Sequence, residues 1–270
     1  MAFNLDSITK GVVSRPPRIV LLGTAKIGKS YFASKSYNPV FIPVRREEGI
    51  DDIDAAKFPV SNTMDDVRSA FQTLRTSEHD FGTAVVDSVS TLEALVWDEV
   101  CEKTGDKNGN PCDNIEKVLG GYNKGFGQAL NQWNEIMDWL DILRTERNMA
   151  SILVGHVHVK RFDDPNGSSY DQYRWDINEK AASSILKWAD AILFANTKTL
   201  VREEDIGFNK KVKKAIDTHQ GSRFLYTQAR PAHPGGGRGP YGQLPYELPL
   251  DWTAFMAAVQ AAGHEIHEAT

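Results

Sequence analysis

Long apolar runs are missing from this chain: no stretch approaches the ~20 residues needed to cross a bilayer. The opening residues Met1 to Asp6 lack the basic and apolar regions of a signal peptide, which predicts a cytoplasmic protein without a membrane partner. Cysteine is scarce. The two present, Cys101 and Cys112, form no C-x-x-C pair and have no histidine at ligand spacing, which excludes a disulfide framework and argues for a reduced protein without structural zinc. Basic excess is also lacking, since the net charge is -5, so contact with nucleic acid has to come from local clusters of cations. No internal repeat is visible. A length of 270 residues suits one α/β domain with added loops, read here as a core of about 16–230, a Gly/Pro-rich segment 231–249 and a C-terminal helix 251–263.

What the chain does contain is a phosphate-binding loop. The apolar run Arg18-Ile19-Val20-Leu21-Leu22 leads into Gly23-Thr24-Ala25-Lys26-Ile27-Gly28-Lys29-Ser30, a G-x-x-x-x-G-K-S pattern between a buried strand and a helix. The glycines let successive N–H groups converge on one phosphate at a helix N-terminus. Lys29 is then placed to reach the β- and γ-phosphates, and the Ser30 hydroxyl to ligate Mg2+. The nucleotide-binding set is Gly23, Thr24, Ala25, Lys26, Ile27, Gly28, Lys29, Ser30 and Tyr31.

Further along, the helix after the loop must stop near Asn38-Pro39, and Val40 to Val44 reads as the second strand, with Pro43 suited to an edge or a strand end. Asn62-Thr63 caps a helix whose stripe is Met64, Val67, Phe71 and Leu74. Thr83 to Asp87 is a buried strand that ends on a carboxylate. Gly105 to Gly127 reads as a long mobile loop broken by a short turn of helix around Ile115 to Leu119, and Gln128 opens a helix striped by Leu130, Trp133, Ile136, Leu140 and Leu143. Ser151 to Gly155 is a strand, Asp163 to Asp171 a polar loop, Glu179 to Ala189 a helix, and Ala191 to Ala195 a strand. Residues Lys198 to Gln228 alternate like antiparallel edge strands, and Asp251 caps a last helix. Strands alternating with amphipathic helices predict an α/β fold with a mostly parallel central sheet flanked by helices.

Polar residues gather where these strands end. Asp87 would sit beside Ser30 and hold Mg2+, the alternative being a helix N-cap. Glu47 and Glu48 follow the second strand, where either could orient or deprotonate the attacking water, unless they only pair with Arg45 and Arg46. His156 leaves its strand at the same edge, with His158 on the same face. A His-x-His metal pair lacks a third ligand, so a polar sensor of the γ-phosphate is the functional reading and a core histidine the structural one.

The order of these parts resembles the RecA-like ATPase core, and more closely its phage-encoded branch related to single-strand annealing and recombination proteins. The residues that carry the likeness are Pro16 to Leu21 into the loop, Glu47-Glu48-Gly49-Ile50-Asp51-Asp52-Ile53-Asp54, Val85-Val86-Asp87-Ser88, Tyr170 to Tyr173, Lys187 to Phe194 and Leu248-Pro249-Leu250. It departs from that branch at Lys26, at Arg45-Arg46 and in the glycine-rich Gly235 to Gly242. The resemblance implies a RecA-like P-loop ATPase that uses ATP and Mg2+, Glu47 as the better catalytic carboxylate with Glu48 beside it, and His156 in the place of a γ-phosphate sensor. It also implies a partner, single-stranded DNA, on two mobile loops: one with Lys117, Tyr122, Lys124 and Phe126, the other with Lys160, Arg161, Phe162, Tyr170, Tyr173, Arg174 and Trp175. Cations neutralise phosphates and rings stack bases, unless the aromatics only pack the loops down. Lys210, Lys211, Lys213 and Lys214 add a basic patch or a solvated hairpin face. Self-assembly into a ring or filament, a single-strand-binding protein as partner and the cytoplasm of a bacterial host complete that expectation. Two rival functions remain: a P-loop small-molecule kinase using Arg144, Arg147, Arg161 and Arg174 as lid cations, and a nucleotide-gated helicase loader or interaction module.

Overall fold

Alternate residues of a strand face opposite sides of its sheet, and both sides of β1 (Arg18–Gly23) are apolar. Ile19 and Leu21 pack into one core, Val20 and Leu22 into another, and all four are buried. Such a strand belongs inside a parallel sheet covered by helices on each face.

The structure is a computed structural model that describes residues 8–11, 13–46, 49–164, 167–205, 211–217 and 221–263, with only the backbone path for 199–205 and 211–217. After β1 come α1 (Lys29–Ala33), β2 (Pro39–Pro43), β3 (Ala56–Lys57), α2 (Met64–Thr76), β4 (Thr83–Asp87) and α3 (Val89–Lys103). A 3-10 turn, Ile115–Gly120, precedes α4 (Lys124–Glu146), β5 (Ala150–Phe162), β6 (Tyr170–Trp175), α5 (Glu179–Trp188) and β7 (Ala191–Thr197). The chain continues through β8 (Thr199–Asp205), β9 (Lys211–Asp217), β10 (Arg223–Tyr226), β11 (Gly236–Gly237), β12 (Glu247–Pro249) and α6 (Trp252–Ala261).

Among the described residues the main sheet has 10 strands in the order β12-β10-β7-β1-β5-β4-β2-β3, with β11 on β7 and β6 on β5. From β7 to β3 the strands run parallel, and β10, β11, β12 and β6 are antiparallel additions. The β8–β9 pair is a separate antiparallel ribbon. Helices α2 to α5 cover one face of the sheet, while α1 and α6 cover the other. This is the fold of a P-loop NTPase.

Local chemistry explains the elements. Thr63 caps α2 in a reciprocal pair with Asp66, each side chain bonding the other's backbone N–H, and Met64, Val67, Phe71 and Leu74 are all buried as their spacing predicts. Arg68 then ties three helices together through Glu99 on α3 and Glu135 on α4, at 2.7 Å each. Pro43 ends β2, where a missing donor costs no ladder bond on the far side.

Three expectations need correction. Within Gly105 to Gly127 the short helical turn expected around Ile115 to Leu119 is present as the 3-10 turn, but α4 begins at Lys124 rather than Gln128. A Cβ on Gly125 would overlap Ile115 O, so this glycine permits close packing of helix on turn. Residues 157–162 and 170–175, expected within a mobile loop, are instead paired antiparallel strands of β5 and β6, with the polar loop starting at Asp163 and ending before Tyr170. Lastly, the alternative reading of Asp87 as a helix N-cap fails: α3 follows Asp87 directly but is capped by Ser88, whose side chain accepts from Thr91 N.

Gly155, where β5 begins to leave the core, marks the junction with that hairpin. A Cβ there would overlap the indole nitrogen of Trp175 and lie 2.9 Å from Leu22 Cδ2. Gly155→Ala is expected to lower unfolding stability by ~1–3 kcal/mol in a urea titration. Gly127→Ala, on an exposed helix position with open space around it, should be neutral or stabilising by up to ~1 kcal/mol.

Candidate nucleotide-binding site

The loop between β1 and α1 is shaped by its two glycines. A Cβ on Gly23 would sit 2.5 Å from Ala195 O, so only glycine lets β7 lie against the start of the loop. Gly28, at φ 106° and ψ 22°, occupies the left-handed region that turns the chain into α1. Lys29 is only 5% exposed, and its Nζ donates to Gly23 O at 3.0 Å and Thr24 O at 2.8 Å. The ammonium is thus held over the loop by carbonyls that an incoming phosphate can replace. Ile27 is buried against the core, whereas Ala25 and Lys26 are exposed. Tyr31 is also exposed, with Lys35 Nζ 4.9 Å over its ring.

Strand register brings the other polar residues here. Gly23 stands opposite His156 on β5, and Asp87 on β4 stands opposite Val154 on that same strand. Ser30 Oγ donates to Asp87 Oδ2 at 2.5 Å, and Lys29 Nζ lies 3.4 Å from His156 Nδ1. Ser88, not Asp87, caps α3, so the carboxylate faces the loop. A hydroxyl and a carboxylate at hydrogen-bonding distance are the hard oxygen donors that suit Mg2+, and the loop suits a polyphosphate. Glu47 and Glu48 lie outside the described residues. Their neighbour Arg45 pairs with Asp98 at 3.1 Å and donates to Asn62 O at 2.7 Å. His158 Nδ1 lies 3.2 Å from Asp176 Oδ1, and among the described residues no group of three or more His, Cys, Asp or Glu is arranged to hold a metal.

Two residues invisible to sequence reasoning connect this site to the hairpin. Ser90 Oγ on α3 accepts from His156 N at 3.0 Å, and Glu93 Oε1 accepts from Asn178 N at 2.7 Å, just beyond β6. His156 O in turn accepts from Asp176 N at 2.9 Å. Helix α3 therefore grips β5 at His156 and the returning chain at Asn178. Burial pushes the Glu93 carboxyl up to about 7; the Asn178 N–H opposes this and the nearby Asp176 charge adds to it. Because the folded value lies above the ordinary 4.5, this group's stabilisation is complete below that pH and is lost as pH rises through about 7. Glu93→Gln, which keeps the acceptor, should be more stable than wild type by ~2–3 kcal/mol at pH 8, and by less than ~1 kcal/mol at pH 5, in thermal melts.

The candidate DNA-contacting residues divide between two places. Lys160, Arg161 and Phe162 are on β5; Tyr173 and Arg174 are on β6. Glu179 pairs with both Lys160 (2.9 Å) and Arg174 (3.1 Å), and Arg161 with Asp163 (3.6 Å). The Arg174 guanidinium also lies 5.6 Å over the Phe162 ring, and Tyr173 packs on Phe194. Between the hairpin and α5 runs a groove of about 780 Å³ lined by His158, Lys160, Tyr173, Arg174, Trp175 and Lys187. Lys124 and Phe126 are instead in the first turn of α4. Lys124 Nζ donates to Leu119 O, and Phe126 packs edge-on against Trp97 at 5.6 Å, so this aromatic holds helix to helix. Tyr122 is 94% exposed, and Lys117 pairs with Asp113. Lys210 lies outside the described residues; the strand bearing Lys211, Lys213 and Lys214 is described by its backbone alone.

Removing the ammonium at the centre of the loop tests the site. Lys29→Ala is expected to weaken nucleotide binding at least ~100-fold, measured by calorimetric titration with ATP and Mg2+.

Comparison with known proteins agrees with this geometry. A family model described as an AAA domain matches residues 15–239, a span that runs from just before β1 to just after β11. No curated protein matches the sequence significantly. The match covers the phosphate loop, the Asp87 strand and the hairpin together: the chain belongs to the AAA domain family, whose P-loop fold points to nucleotide binding and ATPase activity.

Proposed function

We propose that this protein is a Mg2+- and ATP-dependent, RecA-like single-stranded-DNA-binding protein that promotes annealing or strand pairing in phage DNA recombination. The observation that carries this reading is one strand. β5 runs unbroken from Ala150 to Phe162, pairs with the phosphate-loop strand at His156, and ends in Lys160-Arg161-Phe162. A change at the phosphates that moves His156 is therefore transmitted along a rigid backbone to a basic, aromatic hairpin. Phosphate contacts from Lys160, Arg161 and Arg174, with stacking on Phe162 and Tyr173, suit single strands of any sequence.

In this account Lys29 and the loop N–H groups hold the β- and γ-phosphates, and Glu47 or Glu48 orients the attacking water. Ser30 and Asp87 would hold Mg2+, which neutralises charge on the phosphates. His156, beside the Lys29 ammonium, senses whether the γ-phosphate is there. Cations at the hairpin are already balanced by Glu179, so DNA phosphates have to exchange with that carboxylate, which makes binding responsive to small shifts of α5. Assembly into a ring or filament, cooperation with a single-strand-binding protein and action in the bacterial cytoplasm belong to the same proposal. No helix among the described residues is long and apolar enough to cross a membrane.

The kinase alternative is less well supported. Arg144 bonds Pro16 O and Asp190 beside the first residues of β1 and β7, and Arg147 bonds Ser77 O. Neither is near the loop, since the six residues of β1 separate its two ends by roughly 20 Å.

The test is ATPase rate with and without single-stranded DNA, together with DNA binding across a salt series. Stimulation by DNA is expected. Lys160→Ala combined with Arg161→Ala should weaken binding and reduce the slope of log affinity against log salt by up to about 1.4. Absence of DNA binding with or without nucleotide would overturn the proposal, and phosphate transfer to a metabolite would favour the kinase. DNA-independent, near-zero turnover with intact nucleotide binding would favour a nucleotide-gated loader.

A further inference from the structure

A second cation stands at the phosphate loop, delivered from a distant part of the sequence. Sheet register puts it there. Gly23 on β1 is opposite Ala195 on β7, and Ala195 is opposite Leu225 on β10, so these three residues form one row across the sheet. β10 is antiparallel, so Arg223, two residues before Leu225, projects beyond that row on the side where the loop leaves β1. Its backbone is pinned there by Leu250 N donating to Arg223 O at 3.0 Å. The side chain then lies along the loop: a Cβ built on Gly28 would be 2.9 Å from one guanidinium nitrogen of Arg223 and 3.7 Å from Leu250 Cδ2.

The charge on this group is not balanced within the described protein. Arg18, Arg45, Arg68, Arg75, Arg144 and Arg174 each face a carboxylate within 3.2 Å. Arg223 is exposed and, among the described residues, has no carboxylate partner. The loop is thus bracketed by cations, with Lys29 Nζ at its Gly23–Thr24 end and the Arg223 guanidinium at its Gly28 end. A planar fork of N–H donors beside a phosphate-binding loop is the arrangement that binds phosphate oxygens in pairs.

We propose that Arg223 is a nucleotide-binding residue that reaches from β10 across Gly28 to hold a phosphate of the bound nucleoside polyphosphate. This rests on the reading of Gly23 to Ser30 as the nucleotide site. It makes the grip on the phosphates a joint property of two edges of the fold: α1 contributes one cation and the antiparallel extension of the sheet the other. Leu250, beside the guanidinium, keeps that segment against the loop.

The experiment uses the full chain with Mg2+ and measures binding of ATP and ADP, and displacement of ATP by inorganic pyrophosphate, for wild type, Arg223→Ala and Arg223→Lys. Arg223→Ala is expected to weaken ATP, ADP and pyrophosphate by about 10- to 100-fold, as loss of a charge-assisted pair does. Arg223→Lys, which keeps charge without the fork, should recover part of that loss. The melting temperature without nucleotide should stay unchanged, because the side chain is exposed; if Arg223→Ala melts lower, the Lys variant supplies the comparison. Equal ATP binding by wild type and both variants would overturn the role of Arg223 and leave the loop's role standing. So would a loss confined to a single-stranded oligonucleotide. If wild type itself bound no nucleotide, the reading of the loop would fail first and this inference with it.

Discussion

The structure depends on the parallel register of three strands, β1, β5 and β4. With β5 in the middle, Gly23 is fixed beside His156 and Asp87 beside Val154, so the phosphate loop and the acidic strand end meet across a single intervening strand. A slip of one residue would turn every core side chain to the wrong face, and burial on both faces forbids it. The Ser30 to Asp87 hydrogen bond is a product of that register, as is the approach of Lys29 to His156. So is the position of Arg223, whose row is set through β7.

Much of this was legible in the sequence, for identifiable reasons. The loop is a contiguous pattern, the strands around it are short apolar runs, and α2 announces itself through its cap and its stripe. The hairpin of β5 and β6 was hidden because His158, Val159, Lys160 and Arg161 are exposed, so no buried face imposes an alternation to read. The start of α4 was masked by Gly125 and Gly127, residues that normally signal loops; Gly125 is there because the turn at Ile115 lies against it. Glu93 looks like an ordinary surface acid on a helix, and only the fold reveals that it receives the Asn178 N–H. Arg223 is almost two hundred residues from Gly28 in the chain, and no local pattern links them. The Glu47-Glu48 pair, read from its place after β2, lies outside the described residues.

Electrostatics separates firmly held cations from loosely held ones. Arg18 and Arg144 converge on Asp190, partly buried, where they fasten α4 and the start of β7 to the start of β1. Arg68 does the same for three helices. At the hairpin, by contrast, Lys160 and Arg174 share one exposed carboxylate, Glu179, and such exposed pairs are weak, about 1 kcal/mol or less. Cations held this loosely can change partner. On the proposed reading, this is how a chain of net charge -5 would bind a polyanion through one local surface.

The central claim is that occupancy of the phosphate loop is felt at the hairpin through His156 and β5. Hydrogen exchange of the full chain, with and without Mg2+ and a non-hydrolysable ATP analogue, tests it most directly. The account predicts altered amide protection at Gly23 to Ser30 and, together with it, in Val157 to Trp175 and at Asn178. Protection confined to the loop and Asp87, with the hairpin unchanged, would contradict it.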